Sequence, residues 1–285
     1  MNQQSVWTIG KVLEWTQGFF QKKNIETARL DAELLIGHAL KLERIGLYLE
    51  HHKPLKPDEL GTIRSLVKRR AAYEPIHYIL GYREFWSVRL NVDPRVLIPR
   101  PDTERLVELA LSTLTKNHTT ILDLCTGSGA IALALAKERE DLRITATDLS
   151  ADALAVAQNN ASALSLSNIR FSQSDLFETI EDRFDLIVSN PPYIVREDLA
   201  DLMPDVRDFE PMMALDGGED GLLFYRKIMT SAPNHLKPEG HLLLEIGCDQ
   251  ADAVRALIES CPQLTWSGCF KDMAGNDRVI HAIKT

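Results

Sequence analysis

Apolar residues at helical spacing dominate the first quarter of the chain. Val6, Ile9, Val12 and Leu13 open one stripe, which Trp15-Thr16 continues. Leu30, Leu34, Leu35 and Leu40 mark a second stripe over Ala28–Leu40. A third helix is predicted over Asp58–Ala72, with Pro57-Asp58-Glu59 as its start signal. No alternating run interrupts this pattern, so residues 1–75 are expected to form a small helical bundle. Residues 76–98 change character. Ile76–Leu80 and Glu84–Val88 are rich in aromatic and branched side chains, with Gly81-Tyr82-Arg83 between them. This predicts a β-hairpin linker between two domains. The extended proline loop Ile98–Glu104 follows, where Asp102 or Thr103 is placed to cap a helix through Leu106, Val107, Leu109 and Leu111.

From residue 119 the pattern alternates. Strands are predicted at Thr120–Leu124, Arg143–Thr147, Ile169–Ser172, Phe184–Ser189, Gly240–Ile246, Leu264–Cys269 and Val279–Ile283. Helices are predicted at Ala130–Glu138, Ala151–Ala163, Leu222–Ala232 and Ala251–Glu259. Such β/α alternation implies an α/β domain over residues 99–285, built on a doubly wound, mostly parallel, seven-stranded sheet. The last two strands are close enough in sequence to pair as a hairpin.

Composition adds limits. The chain has 285 residues, 45% hydrophobic and 26% charged, which suits a globular protein with a sizeable core. No apolar run reaches membrane-spanning length. The start, Met1 to Trp7, lacks the basic and apolar regions of a secretory signal, so a cytoplasmic location is expected. Cys125, Cys248, Cys261 and Cys269 show no paired spacing, which points to reduced thiols and no metal site. Residues 1–75 carry 12 Lys/Arg against 9 Asp/Glu, and the remainder carries 20 against 32. The larger part should repel a phosphate backbone. Lys68-Arg69-Arg70 reads as a solvated helix face.

Candidate chemistry gathers at the predicted strand ends. Cys125, Thr126, Gly127, Ser128 and Gly129 join the first strand of the α/β domain to its first helix, and glycine there lets backbone approach a ligand. Asp148 ends the next strand and could accept from two ribose hydroxyls. Gly127-x-Gly129-x-x-Ala132 also satisfies a dinucleotide pattern. At the third strand end, Asp175 could accept from an adenine amino group, with Leu176 and Phe177 packing the ring, or it could cap a helix. A carboxylate-rich pocket suits a sulfonium better than a pyrophosphate, which favours S-adenosylmethionine over a nicotinamide dinucleotide. After the fourth strand stands Asn190-Pro191-Pro192-Tyr193. Consecutive prolines carry no N–H, so this backbone offers acceptors and few donors, a match for a planar –NH2 group. Pro99 and Pro101 either wall a substrate slot or stiffen a linker. Asp216–Gly221 is a loop near the cofactor or a plain surface turn. Glu245 ends a strand at the same sheet edge, and His77 and His281 are read as structural.

Together, Asp123–Gly129, Asp148, Ser174-Asp175 and Asn190–Tyr193 resemble a class I (Rossmann-like) S-adenosylmethionine-dependent methyltransferase acting on an amino or amide nitrogen. Tyr78–Gly81, Ile98–Glu104, Glu210-Pro211, Ala214–Leu222 and Ala274–Val279 narrow the resemblance to the release-factor glutamine N5-methyltransferases, the PrmC/HemK family, over essentially the whole chain. Cys125, Leu176 and Asn276 depart from the usual family residues. The resemblance implies methylation of the glutamine in the Gly-Gly-Gln loop of peptide chain release factors. It implies the N-terminal helices as a docking domain, and Asn190, Pro191, Pro192 and Tyr193 as catalytic and substrate-binding residues. A monomer is expected, acting on a protein partner with no nucleic acid or membrane required. The competing readings are a DNA adenine-N6 methyltransferase, a non-catalytic module that binds a translation factor, and, more distantly, a nicotinamide dehydrogenase.

Overall fold

The computed structural model describes residues 6–285. Met1–Ser5, part of the segment read for a secretory signal, lies outside the described residues. Two compact units divide between Gly81 and Tyr82.

The first unit is helical: α1 (Ile9–Lys22), α2 (Ala28–Leu40), α3 (Arg44–Leu49), α4 (Pro57–Ala71) and α5 (Ile76–Leu80). Thr8 caps α1 by accepting from the Lys11 N–H at 3.4 Å. The Glu59 carboxylate reaches back to the Lys56 N–H at 2.7 Å at the start of α4, where Pro57 needs no N–H partner. Ile9, Phe20, Leu35, Ile36 and Leu47 form a fully buried apolar centre. Charge is buried beside it. Arg70 of α4 donates to Asp31 of α2 at 2.7 Å, with both side chains enclosed. Glu33 accepts from Arg29 at 3.0 Å and from Arg44 at 2.7 Å, and also from Tyr48. The basic run is therefore not one solvated face. Lys68 and Arg69 are exposed, but Arg70 points inward as half of a buried ion pair.

The second unit opens with a hairpin of β1 (Tyr82–Phe85) and β2 (Val88–Asn91), paired antiparallel around Trp86-Ser87. Both turn residues have positive φ, as the twist of a two-residue turn requires. The expected hairpin thus begins later than its composition suggested. Ile76–Leu80 is a helical turn closed by Gly81 at φ 81°. Five apolar residues do not by themselves distinguish a strand from a buried helical turn.

The main sheet follows, introduced by α6 (Glu104–Thr113): β3 (Thr120–Leu124), α7 (Ala130–Glu138), β4 (Arg143–Asp148), α8 (Ala151–Ala163), β5 (Ile169–Gln173), β6 (Phe184–Ser189), α9 (Pro204–Arg207), α10 (Leu223–His235), β7 (Leu236–Glu245), α11 (Ala251–Glu259), β8 (Leu264–Lys271) and β9 (Asp277–Lys284). Its order is β5-β4-β3-β6-β7-β9-β8. The first five strands are parallel, while β9 runs antiparallel between β7 and β8. Side chains alternate between two apolar layers. Leu186 and Val188 of β6 face one, with Ile121 and α7; Ile187 faces the other, with Leu122 and α10. Strand order reverses at β3, whose neighbours are β4 and β6. A ligand crevice is expected outside the carboxyl ends of the strands at that reversal.

Candidate active site

The turn after β3 is shaped by three left-handed residues, Cys125 (φ 58°), Gly127 (φ 55°) and Gly129 (φ 85°). Cys125 adopts this conformation despite its Cβ. Gly129 is the tight position: an added Cβ would meet Leu133 Cδ1 at 2.9 Å and Ala157 Cβ at 3.2 Å. At Gly127 an added Cβ would meet nothing within 4 Å, so that backbone faces open space. The turn is tied down from below. Asp123 accepts from Thr126 Oγ1 at 2.6 Å and from the Ala132 N–H at 3.2 Å. Burial pushes its carboxyl up to about 7.

Asp148 holds the next edge. It accepts from the Gly127 N–H and from the Ser150 N–H, each at 2.9 Å. Burial raises its pKa above the usual carboxylate value, against the pull of those backbone donors. Asp148, Cys125, Gly127, Asp175, Leu176, Asn190 and Pro192 line one cavity of about 300 Å³. Val96 and Leu97 close part of it, and Met213, Leu223 and Phe224 add apolar wall.

Other residues singled out from sequence lie elsewhere. Thr126 and Ser128 are buried beneath the turn, and Asn160 Nδ2 donates to the Ser128 carbonyl at 3.0 Å. Phe177 turns into the core and stacks on His235 at 4.9 Å, leaving Leu176 as the apolar group at the cavity. Pro99 is buried and Pro101 is exposed, and neither lines the cavity. Asp175 caps no long helix; its carboxylate lies 3.5 Å from Lys227. Tyr193 lines a neighbouring depression with Gln250 and Arg278. Burial, reinforced by nearby Glu245, pushes its phenol up to about 12.

The Asn190–Tyr193 segment is held by groups that sequence alone did not connect to it. Asn190 Nδ2 donates to Thr103 Oγ1 at 3.3 Å. Thr103 therefore does not cap α6, and neither does Asp102: the chain enters that helix through a 3-10 turn over Pro101–Thr103. The proline loop is fixed by buried Glu210, which accepts from the Ile98 N–H at 3.2 Å and from Arg100 at 2.7 Å. Gln250 donates to the Tyr193 carbonyl at 2.9 Å. Residues 214–222 form a strap over the motif. Ile194 donates to Leu215, Gly217 to Ile194 and Arg196 to Gly218, at 2.8 to 3.0 Å. A Cβ on Gly217 would strike the Tyr193 backbone at 2.7 Å, and one on Gly221 the Tyr193 carbonyl at 2.5 Å. Asp216–Gly221 is thus neither a free loop nor a plain turn. Among the described residues no group of His, Cys, Asp and Glu is arranged to hold a metal ion.

The PrmC N-terminal domain family matches residues 11–81, and the methyltransferase small domain family matches residues 104–203. The release factor glutamine methyltransferase of Geobacter sulfurreducens is 46% identical over 278 residues, covering 96% of each chain. The protein of the same name from Vibrio cholerae is 44% identical over 276 residues, covering 95% of each. Among solved structures, the hMettl16 catalytic domain superposes with a TM-score of 0.57 at 16% identity, covering 76% of this chain and 81% of that one. A methyltransferase from Pyrococcus furiosus gives 0.51 at 22%, covering 68% and 87%. These two share the fold. The sequence relatives go further, over nearly the full length of both chains: this chain belongs to the release factor glutamine methyltransferase family.

Proposed function

We propose that this chain methylates the side-chain amide nitrogen of the glutamine in the Gly-Gly-Gln loop of peptide chain release factors, with S-adenosylmethionine as donor. The observation that carries this reading is the Asn190–Tyr193 acceptor segment, set at the carboxyl end of β6 beside a cavity shared with Asp148 and Asp175. That cavity fits the donor. Open space at Gly127 would admit a ligand against the backbone, Asp148 and Asp175 would offer carboxylates to its polar and cationic parts, and Leu176, Leu223 and Phe224 would suit a planar ring. Asp148 would hold the ribose and Asp175 the adenine amino group. When bound, S-adenosylmethionine supplies an electrophilic methyl group.

The residues of the chain do the rest. An amide nitrogen is a weak nucleophile because its lone pair is delocalised. Asn190 Oδ1 and the Pro191 carbonyl would accept from its two N–H groups and orient it. Those hydrogen bonds strengthen as the nitrogen becomes cationic, so they favour the transition state. Tyr193, with its proton held to about pH 12, packs and positions rather than acting as a base. The methylated nitrogen is acidic enough to release its proton to solvent. The helical unit is assigned to docking the factor. The chain works as a monomer in the cytoplasm, and no nucleic acid is required. No helix among the described residues is long and apolar enough to cross a membrane.

A labelled-methyl assay with purified release factor tests the reading. Label should enter the intact factor and be absent from one whose loop glutamine is replaced by alanine. Equal labelling of both would sink the assigned substrate. Labelling of DNA instead would favour an adenine methyltransferase, against which the acidic second unit and the names of the relatives argue.

A further inference from the structure

The segment after β5 gives the cavity little surface on which a ring could stack. Leu176 lines the cavity, but it is only 7% exposed and belongs to the same buried layer as Leu124 and Tyr225. Its backbone is left-handed, at φ 50°, an uncommon conformation for a bulky side chain and one found more often at ligand sites. Phe177, the aromatic residue beside it, is occupied with His235. The more open apolar wall comes from the first turn of α10. Leu223 is 40% exposed and Phe224 is half-buried, and both line the cavity. Phe224 is the one aromatic side chain that does so among the described residues. Lys227 stands three residues on, on the same helix face. Its Nζ lies 5.9 Å from the centroid of the Phe224 ring and 3.5 Å from Asp175 Oδ2. The start of α10 is itself fixed by the strap: the Leu223 N–H donates to the Gly217 carbonyl at 3.1 Å, and the Leu222 N–H to Asp220 Oδ1 at 3.2 Å.

We infer that α10 builds the adenine end of the donor site, with Phe224 as its aromatic face and Lys227 as the group that holds Asp175 in place. A purine stacks on an aromatic face whatever its substituents, and a leucine sunk in the core offers no such face. The surface that Leu176 lacks is thus restored from another element. Asp175 then selects the base. A carboxylate has two accepting oxygens, and Lys227 engages Oδ2, which leaves Oδ1 for the amino group of adenine. The ion pair is long and half-exposed, so its own energy is small. Its use is to hold one rotamer of Asp175 before the ligand arrives, which lowers the ordering cost of binding. Phe224 would touch the cofactor; Lys227 is a positioning residue and acts through Asp175. Because the strap that bonds to Ile194 also fixes Leu223, the adenine wall and the acceptor segment hang from one piece of chain.

This inference rests on the placement of the donor in this cavity, and a binding experiment without release factor separates the two. Calorimetry measures the affinity of the full chain for S-adenosylhomocysteine in wild type, Phe224→Ala, Phe224→Trp, Lys227→Met, Asp175→Asn and the double variant Asp175→Asn with Lys227→Met. Phe224→Ala should weaken binding about tenfold or more, the loss expected for one stacked base, and should weaken the inosine analogue by the same factor. Phe224→Trp should bind within about threefold of wild type. Its added indole fluorescence, read as the difference from wild type, should change on binding. Lys227→Met should lose about two- to fivefold. In the Asp175→Asn background the same substitution should cost nothing further, because the group it holds has lost its charge. Affinity within twofold of wild type in Phe224→Ala would overturn the aromatic assignment. So would an indole at 224 that does not respond to ligand, an outcome readable even if the alanine variant folds poorly. Equal losses from Lys227→Met with and without Asp175 would overturn the positioning role. No binding by wild type would remove the cofactor placement, and this inference with it.

Discussion

The helical unit and the strand ends at Asp123, Asp148 and Glu245 bury carboxylates in opposite ways. In the helical unit Asp31 and Glu33 are enclosed but answered by arginine, and the donors around Glu33 hold its carboxyl below the usual range. At the carboxyl edge of the sheet, Asp123, Asp148 and Glu245 are enclosed with neutral donors or incomplete pairing, and burial drives all three upward. A paired buried charge ties one helix to another. An unpaired one is held ready to respond to what binds or titrates beside it. Burial alone therefore does not separate structural from functional carboxylates; the partner does.

Three measurements would break or sharpen that contrast. The largest effect is expected in the helical unit. Asp31→Ala removes the carboxylate that answers the buried Arg70 charge and should cost roughly 3–5 kcal/mol in urea unfolding. The pair Asp31→Leu with Arg70→Met should recover most of that loss, because matched apolar groups need no compensation. If the double variant proves as unstable as the single one, the ion pair is not what Arg70 contributes.

At the sheet edge the response should follow pH. The folded pKa of Asp123, about 7, lies above its unfolded value near 4. Between those values the folded chain keeps a proton that the unfolded chain has released. Stability from this group is present below about pH 4 and is lost as pH rises through 7. Relative to wild type, Asp123→Asn should gain roughly 2–4 kcal/mol between pH 4 and pH 8. A constant difference across that range would show the carboxyl to be ionised throughout.

The smallest effect is at Cys125. Its left-handed backbone costs a residue with a Cβ about 1–2 kcal/mol. Cys125→Gly relieves this, while glycine's freedom in the unfolded chain takes part of it back. A net gain of about 1 kcal/mol or less is expected by thermal unfolding. A net loss would mean that the thiol's packing outweighs the strain.

How much of this was legible beforehand depended on range. The sheet was readable because each parallel strand is a short, dense apolar run ended by a turn signal, as in Phe184–Ser189. The helix α3 escaped because six residues carry too little periodicity, and only Leu47 is buried. Ile76–Leu80 misled because aromatic and branched residues serve a buried helical turn as well as a strand. At the site, each strand-end residue could be named, but the links between them could not. Thr103 meets Asn190 across 87 positions, and Ile98 meets Glu210 across 112. No local pattern encodes such meetings. Phe177 suits the cavity by its chemistry, and only packing shows that its ring belongs to His235.

The strap over the motif also fixes how this protein can vary. Loops that join secondary structures usually tolerate a residue more or less. Residues 214–222 are matched to Ile194 and Arg196 group by group, with glycines where the backbones nearly touch. One extra residue would put every later donor opposite the wrong acceptor. The segment therefore behaves as a ruler laid along the Tyr193–Arg196 backbone that leaves the motif, its length as constrained as its composition.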